Sequence, residues 1–387
     1  MDARPSAKIN VEERSSSGIY NRFFNRRIYL YKCRKIAKGK KRMKRVGFLY
    51  EKICAEDNIR QAILDAAKGK KKNRRDVRKV LNNLDFYIKD IQHMLKNKTF
   101  SNSKPRISYR YEKMQNKVRE ISVLPFYPDH IVHHAVMRVV SPLLEKGMYY
   151  YCCANVPGRG EQRIRIKLSR SLKTDLKNTK YCLKIDIKQF YPSICIQELK
   201  YKIRDIIKDS DALWILDTII DLQDKGLPLG SYCSQWLANF YLQSLDHFIK
   251  EKIHIAYLYR YADDLVLLDG NRRKIVMAAK LIDAFLSFED LEMKNTWRIF
   301  KVDETNAIDF VGYKFYRSKI SIRKRIFKNI RRVAVRLFRK IRLLKKITAK
   351  QIRSLMSYLG YIKNTNSFII RNRYLAFLPL KQLKTQL

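Results

Sequence analysis

Tyr261-Ala262-Asp263-Asp264 is the segment that most restricts what this chain can fold into. Leu258 precedes it and Leu265-Val266-Leu267 follows, so residues 257–268 read as strand, tight turn and strand. Aspartate is a common turn residue, and a polar hairpin tip is the plain reading of the pair. Yet two adjacent carboxylates between apolar strands repel each other and lose hydration. Divalent cations relieve both costs, and an all-oxygen donor set suits Mg²⁺. Acids are scarce here: 36 Asp and Glu stand against 83 Lys and Arg, a formal charge of +47. A third carboxylate is offered by Asp186, at the end of Tyr181–Asp186, where Tyr181, Leu183 and Ile185 alternate with Cys182 and Lys184 as in a half-buried strand. Three such groups make a two-metal site, which aligns a hydroxyl and a leaving pyrophosphate for in-line displacement.

The charge points the same way. A balance of +47 opposes compaction by self-repulsion and suits a chain held against a polyanion. Basic residues are interleaved with 24 Tyr and 18 Phe, a mixture fit for phosphate contacts and base stacking. At 46% hydrophobic residues the 387-residue chain can bury a core of two or three packed subdomains. Seven cysteines without a C-x-x-C pair argue against a disulfide framework or zinc site and for small buried hydrophobes in a reducing cytosol. No apolar run reaches transmembrane length, so a cytoplasmic protein is expected. His133-His134 has no acid or cysteine at ligand spacing, so a packed or RNA-facing pair is expected.

Residues 1–47 read as a basic arm, either a solvated tail or an RNA contact. Helices are expected over 48–66, 77–95 and 129–147, with a hairpin near 107–123. The block 181–316 alternates strands with helices at 197–208, 234–250 and 272–288, and a hairpin follows at 309–322. Helices on one face of an antiparallel sheet make an α+β layer. Beyond 324 the chain is helical. Ile326, Ile330, Val333, Leu337, Ile341 and Leu344 form one stripe, and the opposite face is nearly all Arg and Lys.

Asp186-Ile187-Lys188-Gln189-Phe190-Tyr191-Pro192-Ser193-Ile194, followed by Tyr261-Ala262-Asp263-Asp264, resembles motifs A and C of reverse transcriptases. Gly226-Leu227-Pro228-Leu229-Gly230-Ser231-Tyr232-Cys233-Ser234-Gln235 resembles motif B, and Asp309-Phe310-Val311-Gly312-Tyr313 the primer-grip hairpin. Val118-Arg119-Glu120-Ile121 and Pro157-Gly158-Arg159-Gly160 are similar to the fingers motifs. The ordered set covers roughly residues 48–375 and is far more specific than any one piece. Most of the family has Pro-Gln-Gly and Ser-Pro in motif B. Pro228-Leu229-Gly230 and Ser234-Gln235, with Ser357-Tyr358-Leu359-Gly360-Tyr361-Ile362-Lys363, resemble the diversity-generating retroelement branch.

The resemblance implies an α+β fold with right-hand polymerase architecture: N-terminal helices and fingers over 48–180, an antiparallel-sheet palm over 181–322 and a basic helical thumb over 323–387. It implies Asp186, Asp263 and Asp264 as metal ligands for two Mg²⁺ ions (Mn²⁺ able to substitute), with the Ile187 carbonyl as an extra ligand. Arg119 is implied on the incoming triphosphate, Tyr191 as a steric gate against a 2′-hydroxyl, and Leu229, Gly230 and Gln235 around the nucleotide. Where many relatives have Arg before Pro-Gly, this chain has Val156, so the phosphate contact passes to Arg159 or Arg163. Lys294 is the candidate general acid. The implied activity is error-prone copying of a template-repeat RNA into cDNA, with misincorporation opposite adenines. The implied partners are template RNA, the cDNA/RNA hybrid, dNTPs and a small basic accessory variability protein, in a bacterial or phage-encoded system. Two alternatives stay open: another prokaryotic reverse transcriptase, defence-associated or group II intron-like, and a non-catalytic RNA-binding scaffold.

Overall fold

The computed structural model describes residues 44–69, 73–112, 117–343 and 345–385. The arm expected over 1–47 therefore lies outside the described residues as far as 43, as does Leu344 of the C-terminal stripe. Val46 already belongs to the folded unit. Its amide donates to the Ile206 carbonyl at 2.9 Å, and its carbonyl accepts from Lys208 at 2.9 Å. Asp209 then starts two helices at once. Its Oδ2 accepts from Leu49 and Tyr50 at 2.7 and 2.9 Å, and its Oδ1 from Asp211 and Ala212 at 3.1 and 3.0 Å.

The N-terminal region is helical as its periodicity predicts, but each long prediction breaks in two. Tyr50–Cys54 and Glu56–Ala66 part at Ala55, which is extended. Arg75–Asn82 and Leu84–Lys96 part at Asn83 (φ −126°, ψ 46°). The hairpin forms from β1 (Arg106–Glu112) and β2 (Lys117–Val123), paired antiparallel. Helix Ile131–Lys146 follows it.

The central sheet runs β4 (Tyr257–Tyr261), β5 (Asp264–Asp269), β3 (Tyr181–Asp186), β6 (Arg298–Lys301), antiparallel throughout. Its strands alternate between two cores. Leu183, Ile185, Leu258, Leu265 and Leu267 join the larger core, and helix Arg272–Phe288 packs on β3 and β5. Cys182, Tyr259, Val266 and Leu268 join a second core with Ile164, Leu168 and Leu172 of helix Glu161–Thr174. Both faces are thus covered, a correction to the expectation of helices on one face. The physical cause is that β5 is apolar on both sides, so neither face can be left to water.

The expected hairpin at 309–322 is a three-stranded sheet, β7 (Ile308–Phe310), β8 (Tyr313–Phe315) and β9 (Ile320–Ile322). It adds Ile308, Phe310 and Phe315 to the second core. The C-terminal helices Lys324–Arg342, Ala349–Lys363, Phe368–Leu375 and Leu380–Thr385 enclose a third core of Ile326, Ile330, Leu337, Ile352, Leu355 and Leu383. Thr348 and Gln351 form a reciprocal capping box at the second of these helices. Tyr361 ties this bundle to the small sheet, its ring 5.3 Å from that of Tyr313. Five of the six described cysteines are buried; Cys195 is half-buried.

Candidate active site

β3 ends on Asp186, which pairs in register with Asp264, the first residue of β5. Between β4 and β5 only Ala262 and Asp263 form the turn, so the third carboxylate, Asp263, directly precedes Asp264. Ala262 takes the left-handed conformation (φ +55°) that so tight a reversal demands. The Ile187 amide donates to the Asp263 carbonyl at 3.2 Å, fixing the turn to the chain that leaves Asp186. The Asp186 carbonyl accepts from the Lys294 amide at 2.8 Å, and Ile187 bridges Met293 antiparallel. That edge segment brings Lys294 to the site, where its ammonium pairs with Asp186 Oδ1.

A second lysine is there that sequence reasoning missed. Lys184, two residues before Asp186 on the same strand face, pairs with Asp264 Oδ1. Its ammonium also lies 5.0 Å from the Phe310 ring centre. Burial pushes the Lys184 ammonium down to about 8. Asp263 is raised from the ordinary carboxylate range, first by burial and then by the charge of Asp186. Among the described residues no three His, Cys, Asp or Glu side chains converge tightly enough to hold an ion as they stand. Two of the three carboxylates are turned onto lysines. Their chemistry, hard anionic oxygens on adjacent strand ends, fits a divalent cation.

Arg119, on β2, is near enough for its charge to favour the ionised form of Asp263 and of Tyr191. Tyr191 is pushed up to about 12 by burial, with Asp263 as the next cause. Its carbonyl accepts from the Leu227 amide at 2.8 Å, which docks motif B on motif A. Gly226 (φ +70°) is needed there, because a Cβ would fall 2.5 Å from the Pro192 carbonyl oxygen. The Leu229 carbonyl accepts from the Ser122 amide at 2.7 Å, so motif B also docks on β2. At Gly230 the close approach is to β2 itself: a Cβ would lie 2.4 Å from the Ser122 carbonyl oxygen. Leu229 is half-buried and Gln235 exposed on helix Tyr232–Tyr241.

Arg159 is not among these residues. Its guanidinium donates to Glu145 Oε1 and the Tyr149 carbonyl, both at 3.0 Å, and is only 12% exposed. In this structure the fork is therefore engaged by protein acceptors. Arg163 stacks on the Tyr150 ring at 3.8 Å. His133 is buried between Ser231 and Asn102, and His134 stacks on Tyr232 at 3.9 Å, so both rings pack within the fold.

The family model described as reverse transcriptase (RNA-dependent DNA polymerase) matches residues 69–315. The chain belongs to the reverse transcriptase family. Its fold is the right-hand polymerase fold, and the sheet bearing the aspartates is its palm. Among characterised proteins the chain is similar to the retron Ec73 reverse transcriptase of Escherichia coli. They share 35% identity over 115 residues, 26% of this chain and 36% of that one. Solved structures that resemble it include apo telomerase from Candida tropicalis truncated from its C-terminal domain (TM-score 0.43, 14% identity, 60% of this chain and 59% of that one). Another is telomerase from the same organism in complex with a TWJ fragment of telomeric RNA (TM-score 0.46, 13% identity, 68% and 53%). The chain thus spans about a third of the retron enzyme's length and somewhat over half of the telomerase chains. No helix among the described residues is long and apolar enough to cross a membrane.

Proposed function

We propose that the protein extends a DNA strand on an RNA template, and that Asp186, Asp263 and Asp264 hold the divalent cations for the transfer. The observation that carries this is the placement of Asp186 opposite Asp264, with Asp263 in the two-residue turn beside them. Mg²⁺, with Mn²⁺ able to substitute, would supply Lewis-acid activation of a 3′-hydroxyl and neutralise the pyrophosphate. The Ile187 carbonyl is the natural fourth protein oxygen. Arg119 would meet the incoming triphosphate, since a guanidinium fork matches phosphate oxygens. The Tyr191 ring, wedged beside Phe190 with centres 5.6 Å apart, supports a gate against a ribose 2′-hydroxyl. The pairing of the Lys294 ammonium with Asp186 supports a role for it in giving a proton to departing pyrophosphate. In this reading 48–180 are N-terminal helices and fingers, 181–322 palm and 323–387 thumb. Template RNA, the cDNA/RNA hybrid and dNTPs are the partners.

Leu229 and Ser234-Gln235 support a finer reading: copying of a template-repeat RNA in a diversity-generating retroelement, with errors opposite adenines. Leu229 offers packing where a glutamine would hydrogen-bond, so a mispaired nucleotide is penalised less. A small basic accessory protein would need the RNA to bridge it to a chain of charge +47. The 35% identity to a retron enzyme supports a second reading, a prokaryotic reverse transcriptase of another class. One experiment tests both levels. Purified protein, Mg²⁺, dNTPs and native template RNA are combined and the cDNA sequenced, beside Asp263→Ala/Asp264→Ala. Aspartate-dependent cDNA with errors at template adenines supports both; evenly spread errors keep the polymerase and favour the second class. No cDNA, even with the accessory protein present, would overturn the proposal in favour of a scaffold.

A further inference from the structure

We infer that Arg260 is a positioning residue that holds the catalytic turn in shape, acting on Asp263 through the carbonyl of Ala262. Arg260, on β4, and Asp246, on helix Gln243–His247, are both 0% exposed at their side chains. Arg260 Nε donates to Asp246 Oδ1 at 2.8 Å, and Nη2 to Asp246 Oδ2 at 2.6 Å. The remaining donors reach further. Nη1 donates to Asn239 Oδ1 and to the Ala262 carbonyl, and Nη2 to the Asn239 carbonyl, each at 3.2 Å. Asn239 Nδ2 in turn donates to the Ala154 carbonyl at 2.7 Å. The main chain of Arg260 also pairs outward, its amide on the Tyr151 carbonyl at 3.1 Å and its carbonyl on the Cys153 amide at 3.0 Å.

One guanidinium therefore joins the motif B helix, helix Gln243–His247 and the turn, while the main chain of Arg260 and the Asn239 side chain tie in segment 151–154. Fold stability alone does not call for this arrangement. A buried ion pair replaced by apolar side chains of similar volume is often neutral or stabilising. What an apolar pair cannot supply is a donor aimed at Ala262, the residue held at φ +55° next to Asp263. The orientation of the peptide joining Ala262 to Asp263 helps set where the Asp263 carboxylate points. The same residue's carbonyl receives the Ile187 amide at 3.2 Å. A lysine would keep the charge opposite Asp246 but has no planar fork to serve Asp246, Asn239 and Ala262 together.

The inference rests on the reading of Asp263 as a metal ligand, and the test separates the two. Arg260→Lys, Asp246→Asn and Asp263→Asn are compared with the parent for melting temperature, Mn²⁺ affinity by electron paramagnetic resonance without nucleotide, and kcat and KM on a primed RNA template. Asp246→Asn keeps the guanidinium and its bond to Ala262. It is expected to melt lower yet hold Mn²⁺ and turn over within about threefold of the parent. Arg260→Lys is expected to lose about 10- to 100-fold in Mn²⁺ affinity and kcat, the range for residues that orient metal ligands, with KM for the template unchanged. Parental values in Arg260→Lys, or losses in both variants in step with melting temperature, would leave the pair a role in the fold alone and overturn the inference. If Arg260→Lys does not fold, Arg260→Met/Asp246→Leu, which buries no charge, replaces it with the same expected loss; failure of both to fold also overturns it. Retained Mn²⁺ binding and turnover in Asp263→Asn would instead sink the ligand reading itself.

Discussion

Asp186 and Asp264 stand directly opposite each other across β3 and β5, immediately inside the turn that carries Asp263. A shift of one residue in that register would send one of the pair to the other sheet face. The register is pinned from both sides. Leu183 and Ile185 share one core with Leu265 and Leu267, while Cys182 shares the other with Val266 and Leu268. The three carboxylates are therefore placed by ordinary packing. Their mutual repulsion is opposed by Lys184 and Lys294.

Asp263→Asn should separate chemistry from folding. Asp263 is buried and faces the charge of Asp186, so a neutral isostere removes a repulsion and no described salt bridge. Turnover should fall by about a thousandfold or more, as when a group acting directly in the transition state is removed. The metal-free melting temperature should not drop. A variant that loses activity only in proportion to lost folded protein would contradict this assignment.

Gly230→Ala tests the junction between motif B and β2. The glycine lies at φ +114°, and an added Cβ would sit 2.4 Å from the Ser122 carbonyl oxygen and 2.7 Å from Ile121 Cγ2. The 2.7 Å bond from the Ser122 amide to the Leu229 carbonyl must then stretch or break. A loss of about 2 kcal/mol is expected from strain plus one buried hydrogen bond. Because β2 carries Arg119, KM for the nucleotide should rise as well. Urea unfolding and steady-state kinetics check both, and an unchanged KM would detach β2 from nucleotide binding.

The sheet and its site were legible because their signals are local. Strand alternation at 181–186, the turn at Ala262-Asp263 and the apolar runs around it are all read within a dozen residues. What escaped depends on partners far along the chain. Helix Glu161–Thr174 is mostly polar and buries only Ile164, Leu168 and Leu172, an apolar stripe too thin to stand out. Its core partners, Tyr259 and Phe310 among them, lie roughly 90 to 150 residues on. Arg260 and Asp246 are unremarkable in a chain with 83 basic residues until folding removes both from water. Lys184 was hidden the same way. For Arg159 the position beside Pro157-Gly158 was visible in the sequence, while its engagement by Glu145 was not.

His133 should make the protein acid-sensitive. It is fully buried, with Ser231 Oγ 3.3 Å from Nδ1 and Asn102 Oδ1 3.3 Å from Nε2, a pair of contacts that suits the neutral ring. Burial, then the charges of His130 and His134, push it down from 6.5 to about 3. The folded-state value is depressed, so stability is full above about pH 6.5 and is lost as pH falls toward 3, where only the unfolded chain takes up the proton. Between pH 6.5 and 5 the loss should be about 2 kcal/mol from this group. Urea midpoints measured across that window should fall with pH, and His133→Asn should flatten the dependence. An equal slope in both proteins would assign the acid sensitivity elsewhere.

Lys184→Met asks what the buried ammonium does beneath the carboxylates. Lys184 is 14% exposed and Asp264 24%, and they form an ion pair on the sheet face that also carries Asp186. Without the lysine, Asp264 keeps its charge close to Asp186 and Asp263 with no described basic partner of its own. Breaking a fully buried pair costs about 3–5 kcal/mol, and partial exposure reduces that here to about 1–3 kcal/mol. The metal-free protein should therefore melt lower than the parent. A divalent cation then meets a carboxylate that no ammonium already neutralises, so added Mg²⁺ should raise the melting temperature further in the variant than in the parent. The two effects have opposite signs in one experiment, thermal melts with and without Mg²⁺. Lys184 would then be a resident counter-charge that keeps the carboxylates assembled and yields to the cation. A variant that melts like the parent in both conditions would show that Asp264 does not depend on it.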